Sequence, residues 1–123
     1  MSEVFERVYH IVQAIPRGKV LTYGLISQML GGRLSAQGVG WALNALSGNK
    51  DSRYHSENVP WQRVINSKGM VSTNRRGDLP PDLQRRLLED EGIVFDENER
   101  IDLNRYLWKE GLSPPEGAED SKG

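Results

Sequence analysis

Two short apolar stripes between residues 23 and 46, parted by Gly31-Gly32, constrain this chain more than any other feature. Leu25, Ile26, Met29 and Leu30 fall on one face at helical spacing, with Thr22 placed to cap the segment and the glycine pair placed to end it. Ser35 caps the next segment, where Ala36, Val39, Gly40, Ala42, Leu43 and Leu46 read as a second helix with small residues on one side for close approach to a neighbour. Two adjacent glycines end a helix, so the stretch predicts two helices around a tight turn. That is the outline of a helix-turn-helix, a shape also found in proteins that touch no nucleic acid.

The rest of the chain supplies what such a pair packs on. Val4, Phe5, Val8, Ile11, Val12 and Ile15 predict a first helix of about three turns, ended at Pro16-Arg17-Gly18. Residues 47–58 are polar and aperiodic and predict a surface loop. Arg63-Val64-Ile65 and Met70-Val71-Ser72, joined by Asn66-Ser67-Lys68-Gly69, predict a small β-hairpin. Pro80-Pro81 opens a helix carrying Leu83, Leu87 and Leu88 and ended by Gly92. Ile93-Val94-Phe95 suggests a short strand, and residues 103–108 a last helical turn. The expected fold is mainly α with a small β-hairpin, a winged-helix-like form containing the helix-turn-helix. Residues 1–110 form its one domain, and 111–123 a disordered acidic tail.

Composition removes several classes of function. The chain has no cysteine, which excludes disulfides, thiolate metal sites and thiol nucleophiles. Its two histidines, His10 and His55, stand in no metal-ligand or triad motif, so no metal or other cofactor is expected. No run has the length of a membrane span, and the N-terminus lacks a signal-peptide pattern, so a soluble, cytosolic protein is expected. The net charge of −1 conceals a split: residues 1–76 carry ten Lys or Arg against four Asp or Glu, and residues 77–123 carry six against thirteen. A basic first part and acidic last part suit a surface directed at a polyanion, with Arg33, Lys50, Arg53, Lys68, Arg75 and Arg76 as candidate phosphate contacts.

Val59-Pro60-Trp61-Gln62-Arg63-Val64-Ile65-Asn66-Ser67-Lys68-Gly69 sets a large aromatic behind a proline and directly before a cation. Trp61 either plugs the core or lines a pocket. Trp41 and Trp108 are read as packing residues, and Arg63 mainly as a structural residue bonding backbone carbonyls.

Taken in order, Gly18–Gly24, Ser35–Leu43, Val59–Gly69 and Leu87–Gly92 resemble four motifs of the DNA-binding domain of the O6-alkylguanine-DNA alkyltransferases. More closely, they resemble the alkyltransferase-like proteins, in which the alkyl-accepting cysteine is replaced, usually by tryptophan. The resemblance covers about residues 3–109 and places Trp61 on the cysteine position. It implies a lesion pocket of Trp61, Tyr23, Val71, Asn74 and Arg75, with Tyr23 crowding the phosphate of the target nucleotide. It implies DNA contacts from Arg33, Ser35, Ala36, Gln37, Gly38, Gly40, Arg63 and Arg76. Glu91 matches the glutamate of the hydrogen-bond relay that serves the cysteine. Two departures stand out: Gln37 occupies the place of an arginine that fills the hole left by the flipped base, and Gln62 that of a histidine, together with Asn74 at a pocket-loop position where an arginine of the alkyltransferase-like proteins packs on the lesion, for which the adjacent Arg75 could substitute.

The function implied is a damage sensor, not an enzyme, that flips O6-alkylguanine out of double-stranded DNA. It would mark the lesion for nucleotide excision repair, whose damage-recognition proteins are the implied partners, acting as a monomer in the cytoplasm, on the nucleoid if bacterial. Two other readings stay open: a helix-turn-helix transcription factor, and a protein-interaction module that has lost DNA binding. The scarcity of base-reading side chains on residues 36–46 weighs against the first.

Overall fold

The computed structural model describes residues 3–46, 48–71 and 82–110. The expected start of a helix at Pro80-Pro81 and the expected disorder of 111–123 lie outside these residues. Five helices and two short strands make up the described part: α1 (Glu3–Ala14), β1 (Leu21–Thr22), α2 (Tyr23–Met29), α3 (Ala36–Asn44), β2 (Val64–Ile65), α4 (Leu83–Asp90) and α5 (Leu103–Tyr106). A single 3-10 turn, Trp61–Arg63, leads into β2.

The helix pair forms around its glycines as the sequence predicts. Thr22 Oγ1 accepts from the Leu25 amide at 3.1 Å, and Ser35 Oγ from that of Gly38 at 3.0 Å, so each helix begins on a side-chain cap. At the turn, Gly31 and Gly32 hold φ of 68° and 80°, a region that costs a residue with a Cβ. Their amides close on Gln28 and Ser27 carbonyls at 2.9 and 3.1 Å. Both α1 and α2 pack on α3, burying Val8, Tyr9, Val12, Ile26, Val39, Ala42 and Leu43 in one core. Inside it the Tyr9 hydroxyl donates to the Ala42 carbonyl at 2.6 Å, and burial pushes its pKa above the usual tyrosine value.

The sheet departs from expectation. Val64–Ile65 pairs in parallel with Leu21–Thr22, in the register Leu21↔Val64 and Thr22↔Ile65, rather than with residues 70–71, the described part of the expected hairpin partner. The Asn66–Gly69 turn does form, with Asn66 Oδ1 accepting from the Lys68 and Met70 amides at 2.9 and 3.0 Å. Successive strand residues point to opposite faces. Leu21 and Val64 therefore enter the helical core, while Val20 and Ile65 join a second cluster with Leu88, Ile93, Ile101 and Tyr106. The two-residue ladder is the seam between these cores.

Two other expectations are corrected. Residues 93–95 form no strand: the Val94 amide donates to the Tyr106 hydroxyl at 3.1 Å instead of to a ladder carbonyl, and only Ile93 is fully buried. The polar loop before residue 59 is not all surface, because Tyr54 turns inward against Tyr9, with ring centroids 5.1 Å apart. Its hydroxyl meets His10 Nε2 at 2.6 Å, which gives that histidine an ordinary structural role.

Candidate nucleic-acid interface

The parallel ladder decides where the site residues fall. Tyr23 follows Thr22 and Asn66 follows Ile65, so the register sets them side by side just past the ladder. With α3 packed on α2, they border a cleft of about 360 Å³ lined also by Gly24, Ala36, Gln37, Gly40 and Ser67. Trp61 precedes the ladder and lines a different cleft, of about 660 Å³, with Gln13, Asn58, Pro60, Gln62, Leu83 and Leu87. Tyr23 borders the smaller cleft and Trp61 the larger one, and both side chains pack against the same helical core.

Trp61 is half-buried, packed on the helical core with its remaining surface open to the larger cleft. Behind it lies a network centred on Glu91, whose side chain is 3% exposed. Arg63 Nε donates to both carboxylate oxygens at 3.0 Å, Gln62 Nε2 to Oε2 at 2.9 Å, and the Gly18 amide to Oε1 at 2.8 Å. Arg63 Nη1 also donates to the Ile15 carbonyl at 2.7 Å. The resemblance groups Arg63 with the DNA contacts, but its guanidinium, 16% exposed, is spent inside the protein. That is the structural role its own residue chemistry suggested.

Gln62 reproduces the contact of a relay without its chemistry. An amide donates a hydrogen bond to the carboxylate but does not take up and release a proton as an imidazole does. The chain also lacks any thiol. Neither the nucleophile nor the proton carrier of a thiol-based alkyl transfer is present, so the chain is not an alkyltransferase of that kind.

The remaining site residues divide by exposure. Arg33, Ser35, Ala36 and Gln37 are exposed at the start of α3. Gly38 and Gly40 are buried and serve packing: a Cβ at Gly38 would lie 2.5 Å from Leu34 Cδ1, and one at Gly40 would meet the Tyr23 ring at 3.8 Å. Val71 is half-buried against the second core. Asn74, Arg75 and Arg76 lie outside the described residues. Of the candidate phosphate contacts, Lys50 is paired with Glu57 at 3.2 Å and Arg53 lies 5.4 Å from the Tyr54 ring centroid. Lys68 is exposed on the Asn66–Gly69 turn.

Sequence reasoning missed four contributors. Gln84 of α4 donates to the carbonyls of Gln62 and Val64 at 3.1 and 2.8 Å, bracing the segment that carries Trp61, and no local pattern announces it. Asn66 and Ser67 border the smaller cleft only because β2 pairs with β1. Trp41, read as a packing residue, is 56% exposed. At about 100° per residue it lies about 200° around α3 from Val39, so the helical period held that signal. Trp108 does pack against the core.

Fold and clefts define a small helix-turn-helix domain with a half-buried tryptophan open to a cleft. Residues 3–93 match the family described as the 6-O-methylguanine DNA methyltransferase, DNA binding domain. The chain is 40% identical over 110 residues to the DNA base-flipping protein of Vibrio parahaemolyticus, covering 89% of this chain and 99% of that one. It is 37% identical over 116 residues to Alkyltransferase-like protein 1 of Schizosaccharomyces pombe, covering 89% and 97%. Its fold matches the crystal structure of S. pombe Atl1 in complex with damaged DNA containing O6-carboxymethylguanine, with a TM-score of 0.69 and 35% identity over 88% of this chain and 96% of the other. The chain belongs to the alkyltransferase-like, base-flipping family built on the DNA-binding domain of the 6-O-methylguanine DNA methyltransferases.

Proposed function

We propose that this protein is a non-enzymatic sensor of O6-alkylguanine in double-stranded DNA. It rotates the modified nucleotide out of the duplex, holds the base against Trp61, and passes the lesion to the damage-recognition proteins of nucleotide excision repair. The observation that carries this reading is Trp61 itself: a half-buried aromatic open to a cleft, backed by a Gln62–Glu91 contact that cannot relay a proton. The relative crystallised with DNA containing O6-carboxymethylguanine supports the class of ligand.

The energetics agree. Stacking on an aromatic is worth ~1–3 kcal/mol per base. Extruding a base costs a few kcal/mol, and less where damage has already weakened its pairing. Recognition without reaction therefore favours the modified base over its neighbours. A binding titration with two matched duplexes, one carrying O6-methylguanine, tests the reading at two salt concentrations. Tighter binding to the modified duplex is expected, and equal affinities would sink the sensor function. Negligible binding to both at physiological salt would favour a protein-interaction module instead.

A further inference from the structure

We infer that Trp41 is an apolar wedge, entering the minor groove one helical turn beyond Gln37 and holding apart the base step beside the extruded nucleotide. The inference rests on the DNA-binding reading above. Trp41 is 56% exposed, whereas the opposite side of α3 buries Val39, Ala42 and Leu43. On its outward face α3 presents Ala36, Gln37, Trp41 and Asn44, and no residue of the helix is charged. Gln37 and Trp41 are four residues apart and so lie on one stripe. Gln37 and Gly40 line the cleft that Tyr23 enters, so the indole continues the surface bordering that cleft.

The surroundings select the occupant. Exposed cations stand near this uncharged strip: Arg33 shortly before α3, and Lys68 on the turn whose Asn66 and Ser67 line the same cleft. An apolar centre with flanking cations fits a minor groove, where phosphates border the base edges and an inserted apolar side chain unstacks a step. The Gln37 amide has no charge, so the contact made by α3 is non-electrostatic. Trp41 thereby strengthens binding to DNA in general, while Trp61 discriminates the lesion.

Trp41→Ala and Trp41→Phe, compared with the wild type on the matched duplexes, test this. Trp41→Ala should lower affinity for both duplexes about tenfold and leave their ratio and the slope of log K against log salt unchanged, with Trp41→Phe in between. A 2-aminopurine beside the modified base should brighten on saturation with the wild type and much less with Trp41→Ala. The readout at saturation separates a wedge from a loss of folded protein. Unchanged affinity for both duplexes, a loss confined to the modified one, or an undiminished 2-aminopurine signal would each overturn the wedge. If the wild type discriminates the lesion and Trp41→Ala behaves like it, this inference alone falls. If the wild type binds neither duplex, the sensor reading falls with it.

Discussion

At Trp61 a single half-buried side chain offers an aromatic surface to the larger cleft. Trp61→Ala removes that surface from the larger cleft and should weaken binding to an O6-methylguanine duplex by ~1–3 kcal/mol, with a much smaller effect on the unmodified duplex. Fluorescence anisotropy on both duplexes checks this, and uniform weakening would assign Trp61 to folding. Glu91 makes the opposite kind of contribution. Its carboxylate holds Arg63, Gln62 and the Gly18 amide together, linking the end of α4 to the turn after α1 and to the Trp61 segment. Glu91→Ala strands a largely buried guanidinium, which should cost about 3–5 kcal/mol of stability in urea unfolding.

At the level of elements, α2 and α3 were legible because their ends carry local chemistry. Thr22 and Ser35 supply caps, and Gly31-Gly32 supply the backbone angles that stop α2. The strands were not legible in the same way. Two residues carry no usable period, and β1 meets β2 across more than forty residues of chain, so pairing is set by packing on both faces. The Asn66–Gly69 turn is encoded locally by Asn66 and Gly69, whereas the strand that β2 pairs with is not. Gly69 is held at φ 81°, where an added Cβ would lie 2.7 Å from the Ile101 carbonyl oxygen, and its own carbonyl accepts from the Ile101 amide at 2.9 Å. Gly69→Ala combines backbone strain with a backbone clash and should destabilise the fold by about 2–4 kcal/mol, measured by thermal or urea unfolding. A near-neutral result would show that the turn repacks freely.

For the whole molecule, the charge split is partly a matter of folding and partly one of binding. Arg63 belongs to the basic first part by sequence but is neutralised internally by Glu91, and Lys50 pairs with Glu57 at the surface. Arg33 and Lys68 stay exposed beside the uncharged outward face of α3. Gln37→Arg adds a cation at the centre of that face. It should raise affinity for both duplexes and steepen the salt dependence of log K by about 0.9 for one added phosphate contact. Titrations at several salt concentrations check this, and an unchanged slope would place the contact away from the phosphates.

By itself the sequence determined the properties that depend on neighbours in the chain or on composition. These were the helix pair with its caps, the Asn66–Gly69 turn, the absence of a thiol, and the identities of Trp61 and Gln62. Only the tertiary structure decided which strand Val64–Ile65 meets, that Asn66 and Ser67 border the cleft beside Tyr23, that Arg63 turns inward, and that Trp41 remains outside. The reason is physical: caps and turns are closed by groups a few residues apart, whereas pairing, burial and cleft lining depend on surfaces brought together from distant parts of the chain.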